Sequence, residues 1–140
     1  MKTGWYLPLL LLGLCLTRIS VRAEDTPEKV AAIAAGKWLS QVDAGNYAGS
    51  WREASTYFQG AVAEKAWIES LNGVRKPLGK LLSRKLRNAR HAKSLPGAPD
   101  GDYVVMQFDT RFANKEVAVE TVTFMQEKNA TWKAAGYYIK

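Results

Sequence analysis

Asp109, Glu120 and Tyr137 are the residues of this chain whose types and spacing come nearest to an acid–base site. Each lies in a stretch where apolar and polar side chains alternate, so hairpin geometry can set them opposite one another. Pairing about a turn at residues 113–116 opposes Asp109 to Glu120, and pairing about 127–130 opposes Glu120 to Tyr137. A looser pairing across the loop at 94–102 opposes Arg87 to Asp109. The four would form one row across a sheet face. Two carboxylates in that relation repel unless a cation or a shared proton relieves them. A shared proton would leave one raised pKa beside a phenol, which is what general acid–base chemistry needs. The competing account is a solvated outer face on which Arg87 and Arg111 neutralise the acids. The more apolar character of the opposite face favours that account.

A second candidate chemistry is anion binding. Between Leu82 and Lys93 basic residues occupy both parities of an expected strand, so neither face is purely core or purely solvent. Either the strand carries a bulge, or Arg84 or Arg90 points into the space covered by helices. A guanidinium there would hold a carboxylate or phosphate through its planar fork. The plainer alternative is an edge strand blunted by charge against aggregation. Nucleic acid is excluded as a partner on motif and charge grounds.

Aromatic rings are the third signal. Trp38, Trp51, Tyr57, Phe58, Trp67, Phe108, Trp132 and Tyr138 fall largely on expected inner faces. They would line a pocket for an apolar or aromatic ligand, or simply fill a small core with each indole N–H finding a partner. The candidate ligand-binding set is therefore Arg84, Arg90, Trp38, Trp51, Phe108, Trp132 and Tyr138. His91 is the single histidine. With no nucleophile motif or further ligands gathered around it, it reads as a surface strand residue, and neither a metal nor a cofactor is expected.

These residues must be positioned by elements the sequence also marks. Thr26-Pro27 reads as a cap and first helical position, and Val30, Ala34, Trp38 and Val42 trace a stripe on a helix ending near Asp43 and Gly45. Asn46 caps a short second helix. Thr56 and Gln59 fit a capping box for a third, which runs to about Val74 and stops at Pro77. After Gly79 the period changes to two: strands are expected over 81–93, 103–112, 117–125 and 132–139. The expected fold class is α+β, with three N-terminal helices packed on a curved four-stranded antiparallel meander.

The first 23 residues read as a signal peptide. Lys2 supplies the positive start, Trp5 to Leu16 the apolar stretch, and Val21-Arg22-Ala23 the cleavage site. The apolar stretch falls short of the roughly twenty residues that span a bilayer. A lipoprotein reading centred on Cys15 is disfavoured by the bulky Leu14 before it. Cleavage after Ala23 leaves residues 24–140 as a single domain in the periplasm or outside the cell, with no cysteine and no stable membrane span. It also removes three of the 20 basic residues and none of the 13 acids, lowering the net charge from +7 to +4.

Trp38-Leu39, Val42-Asp43-Ala44-Gly45-Asn46-Tyr47, Ser50-Trp51, Pro77-Leu78-Gly79-Lys80, Ser94-Leu95-Pro96-Gly97-Ala98-Pro99-Asp100-Gly101 and Gly136-Tyr137-Tyr138-Ile139-Lys140 stand in this order along the chain. In that order the chain resembles the bacterial family catalogued as domain of unknown function 4019, over essentially all of residues 24–140. The resemblance implies no activity and no catalytic residues, because the family has none established. The order of elements is also similar to the cone fold of nuclear transport factor two and ketosteroid isomerase, an architecture that hosts enzymes, binding modules and dimers alike. The functional expectation is an exported, non-enzymatic module binding a small molecule or an envelope protein. The alternatives are a small acid–base enzyme using Asp109, Glu120 and Tyr137, or a dimerisation domain that forms a homodimer through the open sheet face.

Overall fold

The computed structural model describes residues 25–140, so the expected signal peptide and Cys15 lie outside the described residues. Helix α1 spans Pro27–Asp43; the Thr26 hydroxyl accepts from the Lys29 amide at its start. Its end is closed by Gly45 at φ 78°, which lets the Asn46 amide reach back to the Gln41 carbonyl at 2.9 Å and the Gly45 amide to Val42 at 3.1 Å. A positive φ of this kind favours glycine. The buried stripe of α1 is Ala31, Ala35, Trp38, Leu39 and Val42, while Val30 is exposed and Ala34 only partly buried. The stripe expected at four-residue spacing is thus rotated at its N-terminal end, because a 3.6-residue turn drifts away from a strict period of four.

Helix α2 covers Tyr47–Arg52, capped by the Asn46 side chain on the Gly49 amide at 3.1 Å. The expected third helix is two: α3 over Thr56–Ala61 and α4 over Glu64–Val74. Val62 and Ala63 are extended between them, and the indole of Trp51 donates to the freed Val62 carbonyl at 2.7 Å. The chain therefore has four α-helices among the described residues, not three. The α3 cap is Ser55 rather than Thr56, its hydroxyl accepting from Phe58 N at 3.1 Å. Gln59 does not fold back into a capping box. Its amide instead donates to the Trp51 and Arg52 carbonyls that end α2. A 3-10 turn over Lys76–Leu78 follows α4.

Four antiparallel strands in sequential order complete the fold: β1 Leu81–Ala92, β2 Tyr103–Phe112, β3 Lys115–Gln126 and β4 Trp132–Ile139. On β2, alternation puts Val104, Met106, Phe108, Thr110 and Phe112 on the buried face. On β3 the same face carries Ala118, Glu120, Val122 and Phe124. Helix α1 contacts all four strands, and among the described residues no helix packs on the sheet's other face.

Between the layers the aromatic rings meet edge to face. Trp38 lies 5.7 Å from Tyr137 and 6.0 Å from Phe124, and Trp67 lies 5.0 Å from Phe58, all near perpendicular. Such pairs are favoured by ring quadrupoles beyond simple area burial. Ser50, fully buried, serves both central indoles: its carbonyl accepts from Trp38 Nε1 at 2.8 Å and its hydroxyl from Trp67 Nε1 at 3.0 Å.

Candidate functional site

Glu120 is 0% exposed. A carboxylate taken out of water this completely persists only when ion-paired and hydrogen-bonded. Its place in the β3 alternation, between Ala118 and Val122, forces the side chain inward. There Oε1 accepts from Arg84 Nε at 2.6 Å and from the Thr110 hydroxyl at 2.6 Å. Oε2 accepts from Arg84 Nη2 at 3.0 Å and from the Tyr137 hydroxyl.

Arg84 reaches Glu120 from β1 with β2 between them, because it pairs with Thr110 and points inward. Its guanidinium is forked on both sides. Opposite Glu120 it holds Asp43, with Nη1 to Oδ2 at 2.7 Å and Nη2 to Oδ1 at 2.9 Å. Asp43 is the last residue of α1, where a negative charge is disfavoured by the helix dipole, and that last turn has no basic residue of its own. Arg84 and Arg75, from β1 and the end of α4, supply the missing positive charge. Arg75 Nη2 lies 3.2 Å from Asp43 Oδ1, and Nη1 donates to the Gly79 carbonyl at 2.7 Å.

The network is therefore two arginines and two carboxylates, closed by Thr110 and Tyr137. Burial opposes the charge on Arg84, but hydrogen bonds to Asp43 and Glu120 and their negative charges outweigh it, so the guanidinium is held charged. Burial, then the charge of Glu120, pushes the Tyr137 phenol well above its ordinary value. Tyr137 is thus a fixed donor, not a ready proton source. Two open clefts flank the network, of about 400 and 300 Å³, and neither Glu120 nor Tyr137 lines them.

The expected row of Arg87, Asp109, Glu120 and Tyr137 does not form. The β2–β3 turn is tighter than the four residues expected: Phe112 pairs with Lys115, and a bulge beside Arg111 sets Asp109 against Val119. A one-residue slip moves a side chain to the other face. Asp109 keeps the outer face that its place in the β2 alternation gives it, bonded to Arg87 at 2.5 and 3.2 Å, a contact that lowers its pKa, and it is Glu120 that lies on the opposite, buried face. Glu120 pairs with Ile139 rather than Tyr137, but a two-residue slip preserves the face, so the phenol still reaches the carboxylate.

The other candidates scatter. Arg84 is inside, with four of its five N–H groups bound to the chain's own carboxylates, whereas Arg90 is exposed. Phe108 and Trp38 are buried, Trp51 is half-buried, and Tyr138 is exposed on the uncovered face. Trp132 is partly buried and, with Trp38 and Phe124, lines the 300 Å³ cleft between α1 and the β3–β4 hairpin. His91 sits beside Asp102 at 2.8 Å, and hydrogen bonds from Lys93 and His91 lower the pKa of that carboxyl. Among the described residues no group of three or more His, Asp or Glu is placed to hold a metal.

Asp43 and Arg75 were not singled out by sequence. An acid at a helix end with no basic neighbour in its last turn was the available signal for Asp43; for Arg75 there was none. Thr110, the one polar residue on the apolar face of β2, marked the spot where the network crosses that strand.

Residues 34–137 match the sequence pattern of a family described as protein of unknown function (DUF4019). The chain belongs to that family. The matched span takes in every member of the Arg84 network and both flanking clefts of this DUF4019 domain. Among curated proteins, none matches the chain closely enough to stand as a relative.

Proposed function

We propose that this DUF4019 domain is an exported binding module that takes a small ligand with a flat apolar or aromatic face. Its binding site is the cleft between α1 and the β3–β4 hairpin. The observation that carries the reading is the convergence of Trp38, Phe124 and Trp132 on an open cleft of about 300 Å³, rimmed by Lys37, Glu53 and Lys133. That size lies at the lower end of small-molecule sites, about 300–1,000 Å³, and an apolar lining with a few polar groups at the rim is their usual chemistry. The Trp38 indole N–H is already committed to Ser50, so the part of its ring that lines the cleft wall is fixed in orientation. Acid–base catalysis is disfavoured by the full occupation of both Glu120 oxygens and by the raised pKa of Tyr137.

The test uses residues 24–140 with indole and a naphthalene sulfonate as probes, followed by thermal shift and by tryptophan fluorescence. A probe at a hundredfold its dissociation constant adds about 2.7 kcal/mol of stability. Trp132→Ala should abolish the response while leaving the fold intact. If neither probe stabilises the domain or perturbs its fluorescence, the reading fails. The export component is tested separately by the mass of the native protein, which should begin at Glu24.

A further inference from the structure

We infer that the second cleft, at the C-terminal end of α1, is a binding site for a phosphate group. This is independent of the aromatic cleft. The 400 Å³ opening lies between the α1 C-terminus, α4 and the turn at 76–80, and is lined by Asp43, Asn72, Arg75, Lys76 and Lys80 among others. Three of these carry positive charge. The one acid, Asp43, is already shared between the guanidinium groups of Arg75 and Arg84, so a cationic excess is left facing the opening.

The second observation is on Arg75 itself. The residue is 3% exposed, yet its Nε–H has no hydrogen-bond partner among the described residues. A buried donor left without an acceptor is costly, and the cost is greater for a charged group. The two other nitrogens each have a partner: Nη1 donates to the Gly79 carbonyl and Nη2 to Asp43, while the guanidinium carbon lies 4.4 Å from the centroid of the Phe112 ring. Because Nε has almost no exposed surface, an oxyanion held in the cleft by Lys76 and Lys80 would supply the missing acceptor through a small shift of the Arg75 side chain, and guanidinium chemistry suits phosphate oxygens.

The loop that carries Lys76 and Lys80 is held in place. Asn114, in the β2–β3 turn, donates from its amide N–H to the Leu78 carbonyl at 2.9 Å and from its side chain to Pro77 O at 2.9 Å. Ala113 N donates to Lys80 O at 2.8 Å. Gly79, at φ 75°, makes the bend possible. A preformed cradle loses less freedom on binding than a mobile one, which favours a specific site over diffuse attraction. Lys76, Lys80 and Asn72 are exposed, so a ligand can approach from solvent.

Inorganic phosphate is the probe, titrated at constant ionic strength against acetate and chloride and followed by amide chemical shifts. Saturable shifts confined to residues 43–47 and 72–80, larger for phosphate than for acetate, are expected. The doubly substituted Lys76→Ala/Lys80→Ala protein, which touches only exposed side chains, should lose at least tenfold in phosphate affinity. It should retain its response to indole. Shifts spread over lysines across the whole surface, equal responses to acetate and phosphate, or an unchanged affinity in the double variant would overturn the proposal.

Discussion

Arg84 and Glu120 meet in a two-pronged buried ion pair across the intervening strand β2, with Nε–Oε1 at 2.6 Å and Nη2–Oε2 at 3.0 Å. The pair ties the edge strand β1 to the third strand, and through Asp43 it ties both to the end of α1. Sheet and helical layer are thus joined by charge at the one end where polar groups replace aromatic packing. Such a pair adds little net stability over an apolar filling, but the loss of one partner leaves an uncompensated charge.

Truncating one member should therefore be costly. Glu120→Ala or Arg84→Met is expected to destabilise by about 3–5 kcal/mol in urea unfolding followed by tryptophan fluorescence. The double variant should cost less than the sum of the singles, because the two side chains share one network. Asp109→Asn, which removes an exposed carboxylate on the other face, should leave the unfolding midpoint where it was. Equal losses at Asp109 and Glu120 would contradict the assignment of faces.

Tyr137 sets a pH dependence on the alkaline side. Its folded pKa is raised above the ordinary 10.0, so above that pH the unfolded chain releases a proton that the folded one keeps. The stabilisation is complete below about pH 10 and is lost progressively as the pH climbs towards the folded value. Tyr137→Phe should reduce this alkaline decline, leaving the part due to Tyr103, whose phenol pKa burial also raises, while lowering stability near neutrality, since Glu120 loses one donor. Melting temperatures measured from pH 7 to 11 check it.

Ser50 is a single small residue on which two indoles depend. Ser50→Ala keeps the carbonyl that accepts from Trp38 but strands Trp67 Nε1 in the core. The expected cost is about 1–3 kcal/mol, that of a buried donor left unpaired. Denaturant unfolding reads the stability, and the intrinsic emission of the folded variant should shift as the Trp67 environment changes.

Two glycine-to-alanine substitutions should have opposite signs. At Gly79 the left-handed backbone, and a new Cβ at 3.0 Å from Asn114 Nδ2 and 3.3 Å from Ala113 Cβ, predict a loss of about 1–2 kcal/mol. Gly36, inside α1, is exposed with nothing within 4 Å of such a Cβ, so alanine there should stabilise by about 0.5–1 kcal/mol. Thermal unfolding of the pair is the measurement.

Local chemistry was readable along most of this chain. The cap at Thr26, the stop at Gly45, the turn at 94–102 and the buried face of β2 all follow from residue types and near-neighbour spacing, and each stands where it was expected. Helix α3–α4 was harder, because Val62 and Ala63 carry no breaker signal. They are drawn out of the helix by Trp51, whose indole finds the Val62 carbonyl only once the fold is assembled.

The alternation of β1 to β4 and the α+β class are consequences of side-chain order alone, since a period of two needs no knowledge of what lies opposite. Which groups meet the buried carboxylate is not. Asp109 shares the polar parity of β2 and Glu120 the apolar parity of Ala118 and Val122, but only the assembled register, with Arg84 opposite Thr110 and Tyr137 two residues from Ile139, brings Arg84 and Tyr137 to Glu120. Register depends on turn geometry and on the packing of distant elements, and so does the meeting of Asp43, Arg75 and Arg84, which come from α1, the end of α4 and β1. Those choices belong to the assembled tertiary structure, because only there do non-local contacts compete for the same buried space.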